Sequence, residues 1–360
     1  MWEVAESMEK VQRYNTVLYY LTILPIMATL PLFLLVQFLL WYCILKTRQL
    51  RRVTGICPRL ISTTQELQLY YFHDSCCCQK VQLALEEVGL ALACHQVHLD
   101  IGRYGRYDHL KSTHMNRNPM ATVPVLVHLG CPILDATTQI RYIEDMLDGN
   151  LSLAPSISGE KARMNKIIEE CDIDLRPKAL TNVAKSWGNA VQLFSLHNMS
   201  YSYQYFGFRK NIYALLKHPN PMVPLNRILF NLLHIRIEPS VSDEAVDRIE
   251  QATREYDSIL ADGRMFLCGH AYTLADVACL PLLHRMDQLG ILEHFLLPEC
   301  GPKKKNLLEY WRRMQVRTSF KKVFGRWEPR TTVQKSIHGS ITKRRKFVLA
   351  VGIYNAFLPS

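Results

Sequence analysis

Four consecutive residues with hydroxyl or thiol side chains, Ser75 to Cys78, lie where a helix is predicted to begin. Free amide groups and the helix dipole favour negative charge at such a position, so a thiolate in the first turn would be stabilised. Ser75 is equally well explained as an N-cap residue without chemistry, and Cys76, Cys77 and Cys78 as small buried side chains. Because three adjacent cysteines on a helix cannot all face one ion, no metal site is predicted.

The spacing of Ser75 and Cys78 is that of a redox dithiol motif in which the first cysteine is replaced. Disulfide exchange within the motif is therefore not expected. The chain has eleven cysteines, an odd number, and most of them are scattered. This pattern indicates free thiols in a reducing compartment rather than a disulfide framework.

The elements that position Ser75 are predicted from hydrophobic periodicity. Residues 66–72 alternate and are rich in Tyr and Leu, which is typical of a short strand. After a turn at 73–75, apolar residues recur at helical spacing from Val81 to Val88, and Gly89 ends the helix. Further strands are predicted over 94–99, 123–128 and 132–134, and a further helix over about 136–147.

From Glu160 onward the sequence is predominantly helical. An amphipathic helix is predicted from Ser242 to Leu260, another from just after Thr273 to about Leu289, and a third over 307–323. Residues 180–240 contain clustered tyrosines and several prolines, so they are interpreted as an insertion of short helices and loops.

Residues 17–45 contain no charged side chain. A helix of about 20 residues crosses the hydrocarbon layer, and a signal peptide has an apolar region of only about 7–15 residues. The sequence therefore predicts a transmembrane helix over 17–45, after a short N-terminal peptide of residues 1–16. A basic linker over 46–65 follows, and its lysines and arginines predict that the large C-terminal part faces the cytosol.

The formal net charge of +11 is concentrated near the C-terminus. Lysines and arginines crowd residues 303–346, where the only acidic residues are Glu309 and Glu328. Since this excess occurs beside a predicted membrane anchor, an anionic bilayer surface is the expected partner rather than nucleic acid. The tail over 326–360 ends in an apolar stretch, 347–359, which is too short to cross a membrane but is compatible with the interface.

Four segments together resemble the glutathione transferase superfamily in order and spacing. They are LYYFHDSCCCQKV at 69–81, VPVL at 123–126, DATTQI at 135–140 and FLCGHAYTLADV at 266–277. The resemblance implies an α+β fold, with a thioredoxin-like glutathione-binding domain over 66–149 and an all-helical domain over 150–325. The insertion at about 180–240 falls within the second domain. Thr273 and Asp276 are predicted to form a capping box that nucleates a core helix.

The resemblance also implies a glutathione site. Ser75 matches the catalytic serine or cysteine and would donate a hydrogen bond to the glutathione sulfur, with Cys76 and Cys78 as alternatives. Val123 would pair with the cysteinyl part if Pro124 is cis. Asp135 would open the following helix, so that Ala136 and Thr137 receive the glutamyl end.

Within the superfamily, the chain resembles the ganglioside-induced differentiation-associated proteins. The shared features are QKV at 79–81, the long insertion, TLADV at 273–277 through LHR at 283–285, and NLLEY at 306–310 through TSFKKV at 318–323. This resemblance implies attachment to the mitochondrial outer membrane and a role in mitochondrial network organisation or fission. It also implies weak or absent glutathione-dependent activity, a homodimer and protein partners in membrane remodelling.

Three alternatives stay open from the residues alone. One is an active glutathione S-transferase or thiol reductase that uses Ser75, or Cys76 to Cys78, on an unidentified electrophile. A second is a redox sensor that acts through the thiols of Cys76 to Cys78. The third concerns the organelle, because the predicted topology is compatible with any membrane that faces the cytosol.

Overall fold

The computed structural model describes residues 65–90, 92–99, 106–147, 152–174, 186–202, 208–221, 239–298 and 301–325, with 54–57, 60–61, 224 and scattered positions between 34 and 46. Residues 52–218 and 223–360 form one compact unit, and residues 1–51 and 219–222 form another. The elements given below all belong to the first of these units. The predicted membrane helix at 17–45, apart from those scattered positions, and the tail at 326–360 lie outside the described residues.

Five strands form one mixed sheet. They are β1 (Gly55–Ile56), β2 (Leu67–Tyr71), β3 (Ala93–Gln96), β4 (Val125–His128) and β5 (Cys131–Leu134), in the spatial order β1-β5-β4-β2-β3. The pairing of β2 with β3 is parallel, and the other three pairings are antiparallel. The sheet confirms the predicted strands. It adds β1, which lies within the predicted linker and is too short to show any alternation.

The two faces of the sheet bury alternating residues, as a strand period of two requires. Leu69, Leu126 and Ile133 belong to the main core, where helices α1 (Cys76–Val88) and α3 (Ala136–Asp145) supply Val81 and Ile140. Val125, Val127 and Leu134 form a second cluster on the opposite face. A short helix, α2 (Ser112–Met115), lies in the connection before β4.

Helix α1 begins and ends as the sequence predicts. Ser75 is its N-cap residue, and Gly89 ends it with φ +67°, a left-handed conformation that glycine adopts without steric cost. Val81, Ala84, Leu85 and Val88 are buried. The predicted apolar face of α1 is therefore confirmed. The packing of this face positions the N-terminal end of the helix, which carries Ser75.

In the second half of the chain, the described residues are predominantly helical. Its helices are α4 (Ser158–Glu170), α5 (Trp187–Ser202), α6 (Phe208–Lys217), α7 (Pro239–Ile259), α8 (Leu274–Gln288), α9 (Leu292–Leu296), α10 (Lys305–Gln315) and α11 (Thr318–Phe324). The capping box of Thr273 and Asp276 is present at the start of α8. Asp276 is buried and also accepts hydrogen bonds from the Leu267 amide and the Tyr310 hydroxyl, which explains why the box organises the core.

The structure differs from the predictions in two helical regions. The helix predicted over 307–323 is two helices, α10 and α11, because Arg317 adopts an extended conformation (ψ 146°) and its side chain pairs with Glu87. The insertion contains α5, which is longer than the short helices expected there. The side chain of Ala214 on α6 packs against Tyr107 and Leu110 of the thioredoxin-like half.

Part of the basic region beyond Lys303 is folded and paired within the protein. Lys304 is buried, and its ammonium group lies 2.9 Å from the Glu250 carboxylate and donates to the Phe295 carbonyl. Lys322 pairs with Glu86 at 2.8 Å. Lys304 and Lys322 are therefore engaged within the protein rather than available to a membrane. Among the described residues, no helix is both long enough and apolar enough to span a bilayer.

Candidate functional site

Strand register brings three predicted site segments to the same end of the sheet, where β2 and β5 finish and β4 begins. Tyr70 pairs with Val125, and Val125 pairs with Leu134. Ser75 follows the end of β2, Pro124 immediately precedes β4, and Asp135 immediately follows β5. Because Tyr70, Val125 and Leu134 form one row across the sheet, the turns next to them lie together at this end of the sheet.

Ser75 is half-buried at the start of α1. Its backbone is extended, its Oγ accepts a hydrogen bond from the Cys78 amide at 3.4 Å, and its amide donates to the Phe72 carbonyl at 3.1 Å. The predicted N-cap role is therefore confirmed. This role uses an acceptor lone pair of Oγ and leaves the hydroxyl proton able to donate elsewhere. Capping and donation to an anion are thus compatible at Ser75.

The thiols of Cys76 and Cys78 are buried, and Cys77 is half-buried against the core. Cys76 Sγ receives a hydrogen bond from Arg285 Nε at 3.4 Å, and Cys78 Sγ receives one from the Phe72 amide at 3.4 Å. Burial raises the pKa of Cys78 to about 12 and also raises the pKa of Cys77. The Cys77 and Cys78 thiols are therefore protonated near neutral pH, which makes them poor nucleophiles compared with a thiolate. This environment agrees with the interpretation of the cysteines as buried side chains.

The peptide bond between Val123 and Pro124 is cis. The Pro124 carbonyl accepts a hydrogen bond from Gln139 Nε2 at 3.0 Å, and the same amide group donates to the Ile133 carbonyl at 2.7 Å. Gln139 thereby ties the proline to the end of β5. It lies inside the matching segment 135–140, but its role as a buried donor was not predicted.

The loop before Val123 is held by buried polar side chains. Asn118 Nδ2 donates to the carbonyl and hydroxyl oxygens of Thr122 at 3.0 and 2.8 Å. His114 Nε2 lies 3.0 Å from the same carbonyl oxygen, and burial lowers the pKa of His114 to about 4. Neutral His114 can therefore donate to this carbonyl. Neither residue was predicted as a site residue, because the polar sequence around them shows no periodicity; His114 lies on the short helix α2.

Asp135 caps helix α3, as predicted. Its Oδ1 accepts hydrogen bonds from the amide and hydroxyl groups of Thr138 at 3.1 and 3.4 Å. Its φ of +77° is uncommon for a residue other than glycine, and such conformations cluster at functional sites. Thr137 Oγ1 donates to Asp172 Oδ1 at 3.1 Å, so the Thr137 hydroxyl is already engaged by the helical half.

A buried ion pair lies directly behind Ser75. Arg285 Nη2 is 3.3 Å from Asp74 Oδ1, and the side chains of Arg285 and Asp74 are 3% and 1% exposed. Burial raises the pKa of Asp74 above its usual value, and the opposing effect of Arg285 is smaller. Both residues lie in segments that carry the family resemblance, yet no local pattern links them, since 211 positions separate them.

Comparisons with known proteins agree with this geometry. The glutathione S-transferase N-terminal domain family matches residues 69–150, and the C-terminal domain family matches residues 239–310. Glutathione S-transferase TCHQD from Arabidopsis thaliana is 25% identical over 268 residues, which cover 72% of this chain and 90% of that protein. Human ganglioside-induced differentiation-associated protein 1-like 1 is 25% identical over 288 residues, covering 72% and 74% of the two chains.

Among solved structures, β-etherase LigF from Sphingobium superposes with a TM-score of 0.57 at 18% identity, covering 73% of this chain and all of that one. Poplar glutathione transferase F1 superposes with a TM-score of 0.51 at 17% identity, covering 74% and 98%. These likenesses show a shared fold. Residues 69–150 and 239–310 are therefore similar to the two glutathione S-transferase domains, and the chain is similar to the ganglioside-induced differentiation-associated proteins.

Proposed function

We propose that this chain binds glutathione at the end of the sheet where Ser75, Pro124 and Asp135 lie, and that the Ser75 hydroxyl stabilises the bound thiolate. The observation that carries the proposal is the state of Ser75 Oγ. The capping hydrogen bond from the Cys78 amide uses only a lone pair of Oγ, so a glutathione sulfur beyond the helix terminus would compete with the neighbouring Cys78 thiol for the hydroxyl proton. The positive end of the α1 dipole favours negative charge at the same place.

The glutamyl end of glutathione would bind at the start of α3. The first amide groups of a helix have no acceptor within the helix, and Asp135 caps the amide of Thr138. The amides of Ala136 and Thr137 therefore suit a carboxylate. Because the Thr137 hydroxyl donates to Asp172, we assign the binding role to these backbone groups rather than to that hydroxyl.

The reaction that this arrangement supports is transfer of the glutathione sulfur to an electrophile. The thiolate sulfur attacks an electrophilic carbon, a carbon–sulfur bond forms, and the leaving group departs with the electron pair of the broken bond. Ser75 contributes by lowering the pKa of the thiol, since its hydrogen bond stabilises the thiolate more than the thiol. The transferase and dehalogenase names of several relatives favour such chemistry.

Calorimetric titration with glutathione and turnover with a chloro-aromatic electrophile test this proposal on the full chain in detergent. We expect Ser75→Ala to lower kcat by about 100-fold or more, within the range for loss of a positioned proton donor. Ser158→Ala is the matched control, because it removes an exposed serine from the first turn of another helix. A wild-type protein that neither binds glutathione nor turns over would refute the proposal.

A second function concerns the membrane. We propose that residues 17–45 anchor the chain in the mitochondrial outer membrane, with the glutathione transferase domains facing the cytosol as a homodimer in network organisation or fission. Similarity to ganglioside-induced differentiation-associated protein 1-like 1 over 72% of the chain supports this second proposal. The basic residues after 325 would contact the anionic surface.

Imaging of three tagged forms tests the membrane proposal. They are the full chain, a form that begins at residue 46, and a form that ends at residue 325. The last retains all of α11, which ends at Phe324. We expect only the form lacking residues 1–45 to leave mitochondria, and both truncations to reduce the effect on network shape. Mitochondrial retention of the form that begins at residue 46 would contradict the proposed anchor.

A further inference from the structure

The buried side chain of Arg285 contacts both residues that flank Ser75. Its Nη2 donates to the backbone carbonyl of Asp74 and lies 3.3 Å from the Asp74 carboxylate, while its Nε donates to Cys76 Sγ at 3.4 Å. Arg285 lies on α8 of the helical half, whereas Asp74 and Cys76 belong to the turn that opens α1. One guanidinium group therefore spans the junction of the two halves at the proposed site.

The nature of these contacts distinguishes Arg285 from a simple charge partner. Both oxygens of the Asp74 carboxylate lack an aligned hydrogen bond among the described residues. The interaction between Asp74 and Arg285 is therefore mainly electrostatic. The aligned hydrogen bonds of Arg285 go instead to a backbone carbonyl and a thiol. These acceptors are fixed to the peptide on either side of Ser75, and holding them restricts the orientation of the Ser75 backbone.

The side chain of Ser75 is held less closely than its backbone, whose carbonyl oxygen accepts a hydrogen bond from the Gln79 amide at 2.9 Å. Its capping bond with the Cys78 amide is long, at 3.4 Å, and its amide contacts the Phe72 carbonyl at 3.1 Å. Further support for the turn comes from Gln79 Nε2, which donates to the His73 carbonyl at 2.9 Å. Contacts on the flanking residues therefore matter for where the Ser75 hydroxyl points.

We infer that Arg285 is a positioning residue for Ser75, through which the helical half sets the geometry of the thiol-binding end of α1. This inference rests on the proposed function insofar as Ser75 is taken as the group that contacts the glutathione sulfur. Arg285 itself contacts no substrate in this assignment. The planar, multiply donating guanidinium suits the role, since the point charge of a lysine cannot reach a carbonyl, a carboxylate and a thiol together.

The test compares Arg285→Met with Arg317→Met in the full chain. Arg317 also joins the helical half to α1, but it contacts Glu87 at the opposite end of the helix. Hydrogen exchange followed by mass spectrometry reports the turn directly. We expect faster exchange of the amides in peptide 72–80 for Arg285→Met, and faster exchange near 84–90 with an unchanged 72–80 peptide for Arg317→Met.

The second readout is the pKa of glutathione bound to each variant, measured from the ultraviolet absorbance of the thiolate. We expect Arg285→Met to raise this pKa and to lower kcat by about tenfold or more with little change in KM, as misplacement of a catalytic group does. Arg317→Met should leave the thiol pKa at the wild-type value. Equal effects of both variants on peptide 72–80 and on the thiol pKa would overturn the inference, because they would indicate a loss of stability alone.

Two provisions keep the outcomes separate. If Arg285→Met does not fold, Arg285→Lys retains the charge, and we expect it to show the same faster exchange in 72–80; wild-type exchange in this variant would contradict the inference. If the wild-type chain binds no glutathione, the proposed function fails, while hydrogen exchange still decides whether Arg285 holds the turn.

Discussion

Helix α1 is joined to the helical half by an arginine at each end, and the two junctions differ. At the N-terminal end, Arg285 is 3% exposed and contacts the turn around Ser75. At the C-terminal end, Arg317 is 30% exposed and donates to both Glu87 oxygens, at 3.1 and 2.7 Å. The Arg317 guanidinium also lies 4.4 Å from the centre of the Tyr272 ring.

The difference shows two uses of one residue type. Arg317 and Glu87 satisfy one another in a bidentate pair, which is the geometry expected of a contact that joins two domains. Arg285 is buried more deeply, yet it directs its hydrogen bonds to the backbone and thiol around Ser75 rather than to a carboxylate alone. The Arg317 junction fastens the halves together, and the Arg285 junction shapes the proposed site.

The largest expected effect is that of Arg285→Met on stability. Removing one partner leaves the Asp74 carboxylate buried without its counter-charge, which typically costs about 3–5 kcal/mol. Urea denaturation of the full chain measures the change. The double variant with Asp74→Asn should recover part of the loss, because it removes the unpaired charge. A loss below about 1 kcal/mol for Arg285→Met would contradict this view of the N-terminal junction.

A pH effect is expected from His284, which precedes Arg285 on α8 and packs against Phe320 and Phe324 of α11. Burial, with a smaller contribution from Arg285, lowers the pKa of His284 to about 3. Since the unfolded chain has the higher histidine pKa, near 6.5, stability from neutral His284 is complete above that value and is lost as pH falls toward 3.

The expected loss from His284 at pH 5 is about 2 kcal/mol relative to pH 7.5. Urea midpoints of wild type and His284→Gln across this range measure it, and the variant should show a shallower decline. His294→Gln, at an exposed position on α9, is the control and should follow the wild type. Parallel curves for wild type and His284→Gln would refute the prediction.

Arg317→Met should have a smaller effect, about 1 kcal/mol, because its pair is partly exposed and water replaces the lost contact. The same partial exposure makes this pair sensitive to ionic strength. Urea denaturation with and without added salt provides the measurement, and high salt should narrow the gap between variant and wild type. The comparison would break down if Arg317→Met cost more than Arg285→Met.

The smallest predicted effect is that of Thr137→Val. This substitution removes one hydrogen bond to Asp172 and should cost about 0.5–1 kcal/mol of stability. Because the Ala136 and Thr137 amides are assigned to the glutamyl carboxylate, the dissociation constant for glutathione should change by less than about threefold. Calorimetry decides between this backbone assignment and one that depends on the hydroxyl, for which a larger loss is expected.

Local signals in the sequence predicted the parts of the site that depend on neighbours in the chain. Ser75 precedes a clear helical repeat, and Thr273 and Asp276 have the spacing of a capping box, so both caps were predictable. The resemblance supplied the expectation that Pro124 is cis, which the structure confirms. Four of the strands were predictable from their alternation, whereas the order of the strands in the sheet comes from the structure.

Contacts between distant segments left no such signal. The contacts of Arg285 with Asp74, and of Thr137 with Asp172, depend on how the two halves pack. A single charged residue in the sequence of an apolar helix does not indicate which distant residue it will contact. Arg317 likewise has helix-forming neighbours, and the break between α10 and α11 follows from its pairing with Glu87. The protonated state of Cys78 depends on burial, which a position in the first helical turn does not reveal.

The most direct test of the account is the pKa of the glutathione thiol when it is bound to the full chain. We expect a pKa below that of free glutathione in the wild type and in Ser158→Ala, and a return to the free value in Ser75→Ala. An unshifted thiol in the wild type, or an equally lowered pKa in Ser75→Ala, would contradict the assignment of Ser75 as the group that stabilises the thiolate.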